Sequence, residues 1–540
     1  MQEPSVPMQA SATNAAPHAS ACSGPPLDLR DAPATLAEAL EQARRRHGGG
    51  RIVLEGHEQD QLSYDRLMLA AHALAGRIRT LTTPGERVGV MLPTSLGAVI
   101  AFFALHLAGR TPAMLNYAAG AKSVQAACEL AKLRLVLTSR RFIKAAQLGD
   151  LITALSGQCK IVELETVRDG LTPLDKARAF VAAHIWAPRP RGVARDPAVI
   201  LFTSGTTGAP KAVVLSHENL IANVEQCRRH ARFEPDWVFF NTLPMFHAFG
   251  LTGGALLPLL SGLKTVLYPS PLHHERIPAM IAATGANVLI STDTFAAHYV
   301  RSAHPGALKS LSMVVLGAER VREATRAAFR RACGAVLLEG YGATECAPVV
   351  AVNQPDFNRD GTVGRLLPGV EARLVPFAGV AQGGRLEVRG PNIMRGYLRE
   401  TEMIEAPPEG WFDTGDLASI DTEGFVTILG RTKRFVKIGA EMVSLAAVEA
   451  HAQEVWPDAR HAALAVAGED RSEELVLVTD QAGARRDALV EHAKANGAPH
   501  IELPRRVVIV PAVPILPTGK TDYGAALAMA ERPASAEAKG

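Results

Sequence analysis

Four hydroxyl side chains, two glycines and a lysine fall within one short stretch: Thr203, Ser204, Gly205, Thr206, Thr207, Gly208, Ala209, Pro210 and Lys211. Glycines permit backbone torsions that other residues resist, so successive N–H groups can converge on a single anion. The hydroxyls add donors and Lys211 adds a fixed positive charge. This is the chemistry a polyphosphate requires. The pattern is not a Walker A loop, which runs G-x-x-x-x-G-K-[ST] into a helix. Here Lys211 leads into Ala212-Val213-Val214-Leu215, a second β-prone run. A plain Ser/Thr/Gly surface turn would account for Gly-Thr-Thr-Gly alone, but it does not account for Ser-Gly ahead of it and Pro-Lys behind.

Such a loop needs elements to hold it. Ala198–Phe202 is an uncharged run with the length of a buried strand. After the second strand, Ser216 is placed to cap a helix carrying Leu220, Val224, Cys227 and Ala231 on one face. Two later runs, Met313-Val-Val-Leu-Gly317-Ala318-Glu319 and Val336-Leu-Leu-Glu-Gly340-Tyr341-Gly342-Ala-Thr344-Glu345, each read as a strand ending in a turn. Ligands gather at the carboxyl ends of strands in open α/β sheets, so these two ends and the loop should face one crevice. Nearer the N-terminus, residues 35–48 and 63–79 have the pattern of amphipathic helices. Arg87–Leu92 and Leu135–Thr138 are strands, with an apolar helix between them up to Gly109. Alternating strands and helices imply α/β layers. Residues 171–195 contain Pro188, Pro190 and several arginines and are expected to be irregular, a basic solvated face ahead of the loop.

Composition narrows the class. The 540 residues exceed what one hydrophobic core usually supports, so at least two domains are expected. A net charge of +3, from 57 basic and 54 acidic residues, excludes nucleic acid as the main partner. Cys22, Cys128, Cys159, Cys227, Cys333 and Cys346 form no C-x-x-C pair and read as reduced thiols. Residues 1–30 and 531–540 read as disordered tails. The first of these is rich in Ala, Ser and Pro and has no basic, apolar leader pattern. The most apolar stretch, residues 88–109, contains Pro93, Thr94, Ser95 and His106 and suits a core helix better than a membrane span. The expected location is cytoplasmic, with at most peripheral membrane contact.

The loop and the two strand ends, in this order, resemble the adenylate-forming superfamily of acyl- and aryl-CoA synthetases, peptide-synthetase adenylation domains and luciferases. The likeness runs over residues 35–530. It implies a large N-terminal multi-layer α/β domain (31–432) and a smaller, mobile α+β C-terminal domain (433–530), with ATP and Mg²⁺ as cofactors. By this resemblance Ser204, Gly205, Thr206, Thr207, Gly208 and Lys211 hold the phosphates, and Thr203 joins the catalytic set. Gly317-Ala318-Glu319 and Gly340-Tyr341-Gly342 form the adenine slot, with Tyr341 against the base. Thr344 and Glu345 lie near the phosphates, and Glu345 is suited to Mg²⁺, a hard cation that prefers oxygen. Asp416, in Trp411-Phe-Asp-Thr-Gly-Asp416, takes the ribose hydroxyls with help from Arg431. Lys433 stands at the hinge. Lys520, in Leu516-Pro-Thr-Gly-Lys520, is the catalytic lysine of the small domain. His247, in Pro244-Met-Phe-His247-Ala-Phe-Gly, lines the carboxylate pocket and its entrance. Gly253 and Gly254 beside it suit either an acyl channel or a tight helix crossing.

Narrower motifs resemble the synthetase half of bifunctional acyl-ACP synthetase/2-acylglycerophosphoethanolamine acyltransferases: Leu267-Tyr-Pro-Ser-Pro-Leu-His273, Gly340-Tyr-Gly-Ala-Thr-Glu-Cys-Ala-Pro-Val-Val and Glu441-Met-Val-Ser444. No His-x-x-x-x-Asp occurs, so glycerophospholipid acylation is not expected of this chain. Gly439 stands one position earlier than the family pattern in the loop expected to line the thiol's path. The implied reaction activates a fatty acid as acyl-AMP and passes the acyl group to the thiol of acyl carrier protein. Free CoA as acceptor, or loading of a natural-product synthase, are the alternatives. A non-enzymatic binding scaffold is disfavoured because Lys211, Glu345, Asp416, Arg431 and Lys520 are all present.

Overall fold

A computed structural model describes residues 21–185, 192–204, 210–378, 380, 382–438, 441–467, 473–496, 500–516 and 521–531. Three sheets build the large domain. The first has eight strands in the order Ile404–Glu405, Gly396–Leu398, Pro210–Ser216, Pro197–Ser204, Thr111–Met114, Arg87–Val90, Leu135–Thr138 and Lys160–Glu163. The second has nine. Its central strands Val336–Gly342, Met313–Leu316, Val288–Ser291, Val238–Asn241 and Lys264–Leu267 are parallel neighbours. The third is an antiparallel sheet of five strands, ending in Phe412–Ile420 and Val426–Arg431.

The apolar run after Arg87 resolves into the strand Arg87–Val90 and the helix Leu96–Ala108. That helix is apolar all round because it touches strands of both large sheets, and Phe102, Phe103 and Leu105 have no exposed surface. Ser95 caps it by accepting from Ala98 N–H. No helix among the described residues is long and apolar enough to cross a membrane. All six cysteines are free thiols.

Two expectations need correction. Residues 171–195 are not irregular throughout, since Pro173–His184 is a helix. Thr172 and Asp175 form a capping box around Pro173 at the first helical position, which sets φ for the first turn. The Thr-Pro-x-Asp signature was legible, but the prolines and arginines beyond it obscured it. Nor does the N-terminal tail extend to residue 30. Ala21–Ser23 adds an edge strand to the third sheet, pairing with 371–373. Gly24 fixes this junction: its N–H donates to Val370 O at 2.8 Å, and a Cβ there would lie 2.1 Å from Leu367 O.

Beyond Arg431 the chain forms a smaller α+β domain with cores of its own. One is built on Val443, Leu445, Val448, Leu475, Leu477 and Leu489, the other on Leu464, Val466, Val476, Val478 and Ala526. Arg434 ties the start of this domain down. It donates to Glu449 Oε1 at 2.5 Å and to Ala463 O at 3.0 Å, and its guanidinium lies 3.8 Å from the centre of the Tyr523 ring.

Candidate active site

Ala198–Phe202 and Ala212–Leu215 are indeed strands, parts of Pro197–Ser204 and Pro210–Ser216. They pair antiparallel as a hairpin, with Thr203 opposite Lys211 and Ser204 opposite Pro210. The tip carrying Gly205, Thr206, Thr207 and Gly208 lies outside the described residues, as does Lys520. Ser216 caps the following helix through a full capping box with Asn219, and Leu220, Val224 and Cys227 are buried. Ala231 falls at the C-cap in extended conformation, so the apolar face ends one turn earlier than expected.

Lys211 does not stand alone at the hairpin neck. Its Nζ lies 4.9 Å from the centre of the Tyr397 ring, a cation–π arrangement. Tyr397 belongs to Gly396–Leu398, which pairs with the hairpin's second strand, Tyr397 opposite Val213. The phenol then donates to Glu345 Oε1 at 2.7 Å. Burial, then the Glu345 charge, pushes the Tyr397 phenol well above its ordinary value, so it remains a donor. Glu345 sits in the one-turn Thr344–Cys346 helix that follows the strand Val336–Gly342, and its carbonyl accepts from Met394 N–H at 2.8 Å. Lysine, tyrosine and carboxylate thus form one line from the hairpin neck to the strand end. The second carboxylate oxygen, Oε2, has no hydrogen-bond partner among the described residues, which suits an oxygen-seeking Mg²⁺. Tyr397 carries no role in the sequence reading; its one signal is the Gly396-Tyr397 pair. Gly396 needs its φ of 146°, and a Cβ there would lie 2.0 Å from Glu405 O.

A second line runs through Asp416, which is 4% exposed. Its Oδ2 accepts from Tyr341 O–H at 2.6 Å, and its Oδ1 lies 3.0 Å from Arg431 Nε, the residue directly opposite across the sheet. Burial first, then the Asp416 charge, pushes the Tyr341 phenol well above its ordinary value, so the proton stays on tyrosine. Tyr341 therefore orients a carboxylate, a task the adenine reading did not include. Gly342 is required next to it, because a Cβ would sit 2.0 Å from Pro348 O across the strand pair.

Gly317, Ala318 and Glu319 follow the adjacent strand. Ala318 adopts φ 69°, a left-handed turn. Glu319 Oε2 accepts from Thr294 N–H at 2.9 Å, at the start of the helix Asp293–Ser302, while Oε1 is buried without a partner among the described residues. Burial raises the Glu319 carboxyl above its usual range. From the small domain, Arg460 Nη2 donates to Thr294 Oγ1 at 3.1 Å, so this corner is where the two domains meet. A Cβ on Gly317 would lie 3.2 Å from Phe249 Cε1, which brings the His247 segment to the same strand ends. His247 is half-buried, its ring centre 4.6 Å from that of Phe246, and Tyr117 packs edge-on against Phe246. Beyond Ala248, the eight residues Phe249–Leu256 form a π-helix. Lys433 is exposed in the single turn Thr432–Arg434.

The AMP-binding enzyme family matches residues 40–398, about two thirds of the chain. This chain belongs to the AMP-binding enzyme family. The match contains the hairpin of Pro197–Ser204 and Pro210–Ser216, Glu345 and Tyr397, whereas Asp416 and Arg431 lie beyond its end. The long-chain-fatty-acid–CoA ligase of Salmonella typhimurium is 30% identical over 401 residues, covering 66% of this chain and 69% of its own. The p-hydroxybenzoic acid–AMP ligase FadD22 of Mycobacterium tuberculosis is 31% identical over 335 residues, 60% of this chain and 47% of its own. ATP-bound MatB from Rhodopseudomonas palustris superposes with a TM-score of 0.77 at 25% identity, covering 91% of this chain and 98% of that one. The MenE synthetase of Bacillus subtilis, at 18% identity and a TM-score of 0.74, shares the fold with this family member.

Proposed function

We propose that the chain is an ATP-dependent ligase that activates a fatty acid as acyl-AMP and transfers the acyl group to a phosphopantetheine thiol, that of acyl carrier protein. The observation that carries the adenylation half is the convergence of Lys211–Tyr397–Glu345 and Tyr341–Asp416–Arg431 on one set of strand ends. One line presents a cation and a carboxylate where phosphates belong. The other presents a buried carboxylate that can accept from vicinal hydroxyls.

In the first step the fatty carboxylate attacks the α-phosphorus of ATP and pyrophosphate leaves. Catalysis is mainly positioning and neutralisation of negative charge. Lys211, the hairpin N–H groups and Lys520 supply positive character, and Glu345 would hold Mg²⁺, whose charge assists when bound. In the second step the small domain turns at Lys433, Lys520 withdraws, and the thiol attacks the acyl carbonyl, releasing AMP. This is gating by domain movement.

The relatives' names favour CoA as acceptor, and one names only an AMP ligase. The narrower motifs favour the carrier protein, and charge is compatible with it. Arg485 and Arg505 are exposed on the small domain, whereas Arg486 donates to Pro504 O and Arg506 to Ala530 O within that domain. An acidic partner would be steered by such residues, and its rate would fall with salt. The test has two stages. Fatty-acid-dependent pyrophosphate release must disappear in Lys520→Ala while thioester formation from supplied acyl-AMP continues; equal loss of both defeats the two-step scheme. Then kcat/KM is measured with holo-carrier protein and with CoA over a salt series, in wild type and in Arg485→Glu/Arg505→Glu. Preference for CoA, or no effect of charge reversal with the carrier protein, refutes the choice of acceptor.

A further inference from the structure

The small domain contains a cluster of ligating side chains that the nucleotide chemistry does not use. His451 and Glu454 lie three residues apart on the helix Leu445–Val455, and so share a face. The helix Arg486–Asn496 packs against that helix and contributes His492. One ligand atom from each of the three lies within 4.8 Å of those of the other two. Glu454 Oε2 is 2.8 Å from His492 Nε2. On the other flank, Glu502 Oε2 from the His500–Glu502 turn is 2.9 Å from His451 Nε2. The two histidine side chains are 21% and 24% exposed and Glu502 is 22% exposed, so they are held by packing yet open to solvent. Glu454 is the most exposed of the four, at 61%.

We propose that His451, Glu454 and His492, with Glu502 as fourth ligand, bind one divalent transition-metal ion of the zinc class. Imidazole nitrogen and carboxylate oxygen are the donor types that ion selects, with bonds of about 2.0–2.2 Å. A tetrahedron of that size places donors about 3.3 Å apart. With both imidazoles neutral, the four side chains carry two carboxylate charges that a divalent ion balances. The simpler alternative is a pair of His–carboxylate hydrogen bonds across the helix packing. It predicts no saturable metal binding. The ion would clamp the two helices of the small domain to each other and raise its resistance to unfolding.

The full chain, stripped with chelator and dialysed, is titrated with Zn²⁺ by calorimetry and with Co²⁺ by visible absorption. Wild type and His304→Ala, a control at an exposed histidine elsewhere, should bind one equivalent and gain thermal stability with Zn²⁺. His451→Ala, His492→Ala and the milder Glu454→Gln should each lose at least about tenfold in affinity, a loss typical even of ligand-orienting groups. Pyrophosphate release should be unchanged in all of them, which also reports that they fold. Absence of saturable binding in wild type, equal affinity in the histidine variants, or a thiolate signature in the Co²⁺ spectrum would each overturn the site.

Discussion

Replacing Tyr341 by phenylalanine removes one oxygen and keeps the ring, so it separates the two tasks that residue could perform. In the wild type the phenol donates to Asp416 Oδ2 at 2.6 Å, and Asp416 is 4% exposed. Water cannot readily replace the donor in so closed a position. A hydrogen bond to a charged group contributes about 1.5–3 kcal/mol, so the loss corresponds to about 10- to 100-fold in ATP binding. Arg431 engages the other oxygen at 3.0 Å, but its side chain is 67% exposed. Screening limits such a pair to about 0.2–1 kcal/mol, at most about fivefold. The expected order is therefore Tyr341→Phe more damaging than Arg431→Ala. Pyrophosphate release at varied ATP and saturating fatty acid should show the effect in KM for ATP, with a smaller change in kcat. An unchanged KM in Tyr341→Phe, or a larger defect in Arg431→Ala, refutes the view that the phenol orients the ribose carboxylate.

Tyr397→Phe should lower kcat for adenylation about tenfold and raise the Mg²⁺ concentration needed for half-maximal rate, because Glu345 loses the donor at 2.7 Å while the ring still faces Lys211; a Mg²⁺ titration of the variant checks this. Gly254→Ala should cost about 1–3 kcal/mol of stability, since a Cβ would lie 2.2 Å from Asn241 Cγ in the core. Thermal unfolding should fall by several degrees with no change in preferred acyl chain length, and a shifted chain-length profile would restore the acyl-channel reading of that glycine. His217 should contribute an acid-sensitive part of stability. Its Nδ1 accepts from Leu36 N–H at 3.2 Å, and burial lowers its pKa to about 4, below the unfolded value. The contribution is whole above pH 6.5 and is lost as pH falls towards 4, about 3 kcal/mol at most. Glu339 opposes it: burial raises its carboxyl to about 7, so its term improves stability as pH falls below that value. Comparing urea midpoints of wild type and His217→Asn from pH 7.5 to 4.5 cancels the Glu339 term, and the variant should show the shallower loss.

The sequence by itself determined whatever depends on neighbours in the chain. The hairpin of Pro197–Ser204 and Pro210–Ser216 follows from two apolar runs meeting around a glycine loop, and the Ser216 cap follows from its own local hydrogen bonds. The order of the motifs was enough to identify the adenylate-forming family, because each motif is a strand end or turn whose backbone needs those residue types. The same locality misled between 171 and 195, where proline and arginine outweighed a four-residue helix start. Tertiary structure decided which side chains meet. Tyr341 reaches Asp416 across 75 positions, Tyr397 reaches Glu345 across 52, and Arg460 reaches Thr294 across 166. Sheet pairing and domain packing set those encounters, and both depend on burial summed over the whole fold. No periodicity within a segment records them. Gly254 shows the limit most plainly. Its neighbours in sequence allowed an acyl channel or a tight helix crossing, and only the tertiary structure shows what lies against it, the Asn241 side chain at the end of a strand.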